Sequence, residues 1–202
     1  MGAEATGTLR VDGEAYECTA LLESDEIRFR GDLRLKIPLA EVREATASDG
    51  TLRIEHAGGT ALFTLGPAAA KWADRIRSPR SVAEKLGVRP GMAVAVIGID
   101  DEVLLRELSE NGAMLVKGRM PRQVEMVLVR ITSAAGLARL PRLAEAIAPD
   151  GVIWVVHPRG VPAVADTVIF AAARKVGLVS TKVARISDTD TAEKLVIPVA
   201  AR

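Results

Sequence analysis

The stretch Met92–Asp101 (MAVAVIGIDD) decides how the rest of the chain is read. It follows Lys85–Gly91 (KLGVRPG), runs through an apolar segment to Gly98, and meets Asp100, Asp101 and Glu102, which open a helix. An unbroken apolar run from Val94 to Ile99 suits a strand buried on both faces, the habit of parallel sheets covered by helices. A glycine after such a strand, with a helix following, forms the first turn of an open α/β sheet. Glycines there let the backbone approach a phosphate or nucleoside. Only Gly98 supplies that freedom in this chain. The later positions of a G-x-G-type loop hold Asp100 and Glu102, which bring Cβ atoms and negative charge. The stretch gives an architecture and withholds an activity.

Downstream, strands continue to alternate with helices. Asp100 and Asp101 cap a helix through Ser109, closed by Asn111-Gly112. A short strand at Met114–Val116 and a strong one at Val124–Ile131 follow. A helix spans about Ala134 to Ile147, with Pro141 marking a kink or a restart. Asp150-Gly151 turns into a strand at Val152–Val156, and Ala163–Lys175 is a helix ended by Gly177. Leu178–Ile186 and Leu195–Val199 complete the pattern as an antiparallel pair. The order β-α-β-β-α-β-α-β-β implies an open Rossmann-like sheet with part of its usual β-α alternation abbreviated.

Upstream the period changes. Between Thr6 and Leu65 short alternating runs are separated by Asp12-Gly13, Asp49-Gly50 and Gly58-Gly59, which are hairpin turn signals. Leu33–Ile37 (LRLKI) alternates cleanly. Seven strands fit, with one face buried and one wet. Gly66-Pro67 then opens a helix in which Ala69, Trp72, Ala73 and Ile76 share a face, ended by Ser78-Pro79. Cys18 and Trp72 read as core residues. Ser78–Ser81 (SPRS) is a polar joint, with Ser81 placed to cap a short helix Val82–Leu86. These signals predict two domains, residues 1–78 and 79–202. Charge agrees: the first carries ten basic and thirteen acidic residues, net −3, and the second seventeen and thirteen, net +4.

Composition excludes several classes. With aromatics at 3%, aliphatic side chains and alanine must fill both interiors. A single cysteine forbids an intrachain disulfide and fits a reducing compartment. The N-terminus lacks the basic and apolar regions of a secretory leader, and no apolar run nears the roughly 20 residues of a membrane span. A cytoplasmic protein is expected, without nucleic-acid or membrane partners, since positive charge is not clustered. Homo-oligomer formation is left open.

Two resemblances follow from these residues. Residues 5–78, seven strands and a C-terminal helix carrying Trp72, resemble the pleckstrin-homology-like barrel. The first hairpin loop, Val11–Glu14, is acidic, where the phosphoinositide binders of that superfamily carry Lys and Arg. Gly87–Gly98 (GVRPGMAVAVIG) looks like the first motif of class I S-adenosylmethionine methyltransferases. Leu143–Trp154 (LAEAIAPDGVIW) looks like their helix leading into the fifth strand. The shortened layout is similar to a small bacterial family of domains with no assigned activity. Departures matter: Val96 replaces the acidic residue usual in the first strand, and Lys117-Gly118-Arg119 stands where the ribose carboxylate belongs.

Other catalytic signatures are absent. The chain has no G-x-x-x-x-G-K-[ST], G-x-S-x-G or H-E-x-x-H. His56 and His157 lie a hundred positions apart, and one cysteine builds no thiolate metal site, so neither metal nor cofactor is expected. Asp188-Thr-Asp190 reads as a capped turn rather than a cation site. What remains is a cationic edge at the strand carboxyl ends: Gly98, Lys117, Arg119, Arg130, His157 and Arg159. Either these are solvated or paired charges, or they border a site for a small anionic ligand or an acidic protein surface. The function expected is non-catalytic binding or regulation; the alternative is an S-adenosylmethionine-dependent methyltransferase with a degenerate cofactor loop.

Overall fold

A computed structural model describes residues 3–23, 25–118 and 120–201. The chain divides after Arg80 into two compact units, each with its own sheet.

The first unit contains β1 (Ala3–Val11), β2 (Glu14–Leu22), β3 (Glu26–Gly31), β4 (Leu35–Pro38), β5 (Val42–Ser48), β6 (Thr51–His56) and β7 (Gly59–Thr64). All pairings are antiparallel, in the order β4-β3-β2-β1-β7-β6-β5. Gly7 has a steric reason. A Cβ there would sit 2.1 Å from the Thr64 carbonyl oxygen, where β1 passes the end of β7. Helix α1 (Ala69–Arg77) packs on β5 and β6 and buries Ala69, Trp72, Ala73 and Ile76, the face its spacing dictated. Trp72 lies against Phe63, which meets Phe29 edge to face. Cys18 is buried in the same core, and that burial pushes its thiol pKa up.

The expected closed barrel is not formed. Among the described residues β4 and β5 remain the two edges of an open sheet. β4 is only four residues long and ends in Pro38, which has no N–H to extend a ladder, so this edge is poorly equipped for closure.

The second unit begins with α2 (Val82–Leu86). Its Ser81 cap is a full capping box: Glu84 N–H donates to Ser81 Oγ, and Ser81 N–H donates to the Glu84 carboxylate. Then come β8 (Ala93–Ile97), α3 (Glu102–Glu110), β9 (Met114–Val116), β10 (Val124–Arg130), α4 (Leu140–Ala146), β11 (Ile147–Pro158), α5 (Asp166–Lys175), β12 (Val179–Arg185) and β13 (Asp190–Val196). Pro141 lies in the first turn of α4, so it marks a restart after a short 3-10 segment rather than a kink.

The sheet order is β12-β13-β11-β10-β8-β9. β8 to β11 are mutually parallel, while β13 runs antiparallel between β11 and β12. α4 and α5 cover one face, burying Leu140, Leu143, Ile169 and Ala173. α2 and α3 cover the other, burying Leu86, Leu104 and Leu108. On that second face Trp154 is fully buried, and its indole N–H donates to the Leu86 carbonyl at 3.0 Å, fastening α2 to the sheet.

The chain therefore folds as a mixed α/β protein whose second sheet is Rossmann-like. β8 leads outward to β9, and the next strand in the chain, β10, lies on the other side of β8. Strand order reverses at that point, so the carboxyl ends of β8 and β10 flank a topological switch, where open α/β sheets take their ligands. No helix among the described residues is long and apolar enough to cross a membrane.

Candidate functional site at the carboxyl edge of the second sheet

The crevice between β8 and β10 starts at Gly98. Its φ of 66° lies in the left-handed region, and a Cβ there would come no nearer than 3.8 Å to the Arg130 carbonyl. Glycine is needed for the turn, and a Cβ there would meet Arg130 only at ordinary contact distance. The acidic residues that follow do not fill it from a loop. Asp101 turns back and accepts from Leu104 N–H at 3.0 Å, capping α3.

Among the described residues, the cations predicted for this edge do not all border one hollow. Lys117 is exposed just past β9. Arg119 lies outside the described residues. Arg130 is engaged: its two terminal nitrogens donate to the two Asp190 oxygens, each at 3.0 Å. Asp190 opens β13, and Arg130 ends β10, so the pair spans β11. The Thr189 hydroxyl donates to the same carboxylate at 3.3 Å. Asp190 thus belongs to a strand that starts five residues earlier than its sequence suggests, and it neutralises Arg130.

The chemistry collects instead at the end of β11. Residues 153, 155 and 157 alternate onto the α4/α5 face, so His157 extends the row of Ile153 and Val155. On the neighbouring strand Glu193 pairs in register with Val155, and Thr191 with His157. This puts Glu193 and His157 diagonally together on one face. Asp166 is the first residue of α5, above them. His157 Nε2 lies 3.8 Å from Asp166 Oδ1 and 4.0 Å from Glu193 Oε1. His157 is 2% exposed and Glu193 0%. Neither imidazole nitrogen nor Glu193 Oε1 has a hydrogen-bond partner, while Glu193 Oε2 accepts from the Ser180 hydroxyl at 3.3 Å. The three donor atoms lie within 4.8 Å of one another, a set that can hold a metal ion.

Beside them lies a hollow of about 630 Å³, lined in part by His157, Arg159, Gly160, Asp166, Thr167 and Thr191. The first turn of α5 forms one wall, and Ala165 at its N-cap supplies no side-chain acceptor. Arg159 is exposed; its backbone N–H donates to the Thr189 carbonyl at 2.8 Å, fixing the loop. Of the residues expected at the edge, His157 and Arg159 border this hollow, while Gly98 and Arg130 border the switch-point crevice.

Asp166 and Glu193 were missed as site residues. Glu193 carried a signal: period two places it on the face of Leu195, where an apolar residue belongs. Asp166 carried none beyond its helix-opening position.

No protein family and no curated protein matches the chain by sequence. Solved structures align with it at low identity. A SAM-dependent O-methyltransferase from Thermotoga maritima covers 96% of this chain and 93% of its own, at 9% identity and a TM-score of 0.45. Magnesium protoporphyrin IX methyltransferase from Synechocystis, solved with bound SAM, covers 58% of this chain and 76% of its own, at 13% identity and 0.47. A SAM-dependent methyltransferase from Aquifex aeolicus covers 58% and 88%, at 13% and 0.45.

Proposed function

We propose that this protein binds an anionic small molecule at the carboxyl edge of its second sheet, in the hollow beside His157. The first unit, on this reading, is a pleckstrin-homology-like module for protein contacts, and the protein works in the cytoplasm. One observation carries the ligand reading: the hollow at the end of β11 has the volume of a small-molecule site and a helix N-terminus without a side-chain cap in its wall. Backbone N–H groups at a helix start favour negative charge. Arg159 at the rim supplies a guanidinium for a carboxylate or phosphate.

Inorganic phosphate and a nucleoside monophosphate are the probes. Each should raise the melting temperature of the wild-type chain by mass action. Arg159→Ala should remove most of the shift. An unchanged shift in that variant would place the anion elsewhere.

A second reading, an S-adenosylmethionine-dependent methyltransferase, is favoured by the switch point itself. Gly98 follows β8 and Arg130 ends β10, adjacent parallel strands where strand order reverses, and Gly98 takes the left-handed turn that such a loop needs. Against it, the end of β9 offers Lys117, a donor only, where two ribose hydroxyls need an acceptor. Weak or absent binding of S-adenosylmethionine is expected. Calorimetry giving a Kd tighter than about 10 μM, or about −7 kcal/mol, would shift the function to the crevice.

A further inference from the structure

The cluster of His157, Asp166 and Glu193 beside the hollow poses a problem of compensation. Glu193 is fully enclosed on an apolar face, with one oxygen satisfied only by the Ser180 hydroxyl and the other by nothing. A buried carboxylate is retained when it is paired, protonated or coordinating a metal. Direct pairing with His157 does not fit. The separations of 3.8 and 4.0 Å exceed the length of an N–H···O bond. They are also short for a bridging water, whose two partners at tetrahedral angles stand roughly 4.5 Å apart. A tetrahedral metal ion with bonds of about 2.1 Å separates its ligand atoms by about 3.4 Å. The two gaps from His157 Nε2 close to that value with shifts of roughly half an ångström, and the Asp166–Glu193 separation, within 4.8 Å, closes with a movement of about 1.4 Å at most. Asp166, on the exposed start of α5, has the freedom to supply them.

We infer that His157 Nε2, Asp166 and Glu193 form a three-ligand site for a divalent transition-metal ion, with an open coordination position facing the hollow. This deepens the reading of the hollow as a binding site and rests on it for the role of the open position. One imidazole and two carboxylates suit Zn²⁺ or Mn²⁺ better than Mg²⁺ or Ca²⁺, which prefer oxygen alone. Of the first two, Zn²⁺ binds a given set more tightly. A bound ion would answer three features together. It would compensate Glu193, give His157 a partner, and turn Asp166 from a repulsive group beside an anion site into part of the group that attracts the anion. Three protein ligands with a vacant position is also the arrangement that lets a metal take a ligand's carboxylate or phosphate oxygen. The occupant of that position is an anionic oxygen ligand, with Arg159 at the rim as its second contact.

The test uses the untagged full-length chain, stripped with chelator, in a buffer free of phosphate. Zn²⁺ is titrated by calorimetry, and Co²⁺ by its visible absorption, which reports ligand number and geometry. One equivalent of Zn²⁺ should bind saturably, and Co²⁺ should give the intense band of a four- or five-coordinate site. Asp166→Asn should weaken Zn²⁺ by about tenfold or more without moving the metal-free melting temperature, because Asp166 is exposed. Glu193→Gln should weaken Zn²⁺ binding further still. His56→Ala, remote in sequence and outside the trio, should bind as wild type. Failure to take up Zn²⁺, equal uptake by Asp166→Asn, or loss of uptake in His56→Ala would overturn the site. Phosphate is then titrated into stripped and Zn²⁺-loaded protein separately. Phosphate binding by a chain that takes no metal removes the metal and keeps the anion site. Zn²⁺ uptake without phosphate binding does the reverse.

Discussion

The Arg130–Asp190 pair decides how much of the sheet edge is free to meet a ligand, and its strength can be worked out. Two parallel N–H···O bonds at 3.0 Å join them, with side-chain exposures of 35% and 12%. Opposite charges about 4 Å apart attract by about 4 kcal/mol at an effective dielectric of 20. Desolvation and side-chain ordering offset part of this. The pair falls between exposed bridges, worth about 0–1 kcal/mol, and fully buried ones, whose breaking costs about 3–5 kcal/mol. Arg130→Met should therefore cost about 2–3 kcal/mol, because Asp190 is left with only the Thr189 hydroxyl. Asp190→Asn should cost about 1.5–2 kcal/mol, and the double-mutant cycle should return a coupling of about 1.5–2 kcal/mol. Urea unfolding, followed by Trp154 fluorescence in a Trp72→Phe background, isolates the second unit. A coupling below about 0.5 kcal/mol, or one mostly screened by added salt, would show a surface pair and return Arg130 to the list of ligand contacts.

Trp154→Phe should destabilise the second unit by about 2–3 kcal/mol, combining a smaller ring with an orphaned Leu86 carbonyl; a loss under about 1 kcal/mol in urea unfolding followed by far-UV circular dichroism would mean that α2 is held otherwise. The Cys18 thiol, raised by burial, should resist a disulfide reagent near pH 8 until urea unfolds the first unit, and fast native labelling would contradict the core placement. The sign follows: the folded state holds this proton more tightly, so the contribution to stability is present below the ordinary thiol pKa and lost as pH rises through the raised one. Limited proteolysis should cut first between Ser78 and Ser81 and leave two resistant fragments, whereas a single protected fragment across the joint would count against independent units.

Much of this fold is written in local pattern. Alternation marked all seven strands of the first sheet, because each buries one face. The Ser81 cap, the Asp101 cap and a break in the helical pattern at Pro141 were legible because helix ends must satisfy their own backbone groups. Non-local pairing was not. β13 inserts between β11 and β12, a placement that no stretch of sequence announces. Its early start at Asp190 looked like a turn, since Ser187 through Asp190 is rich in turn formers. β11 begins at Ile147, read as the end of a helix, because its first residues pair with Val124 across an irregularity before the main ladder starts. Barrel closure was likewise a property of edges rather than of strands. For the site, the strand-end rule pointed to His157 and Arg159, which line the hollow, but charge counting could not see that Arg130 would be neutralised by a residue sixty positions away.

Glu193 is where fold and function meet most sharply, and it yields a prediction with a change of sign. Its strand parity calls for an aliphatic side chain, and the neighbours Val155 and Leu195 are fully buried. A native state is stable by only about 5–15 kcal/mol, so an uncompensated buried carboxylate is a sizeable burden. Glutamine has nearly the same shape, keeps an acceptor for the Ser180 hydroxyl and carries no charge. In metal-free protein Glu193→Gln should therefore raise stability, by about 1–2 kcal/mol. In the presence of saturating Zn²⁺ the order should invert, because the wild type gains binding free energy that the variant largely forgoes. Urea unfolding with chelator and with Zn²⁺ reads both halves of the comparison. A variant less stable than wild type under both conditions would show that Glu193 is held by protein partners alone. A variant more stable under both would show an acid that the fold tolerates without using. Only the inversion ties the buried charge to an ion.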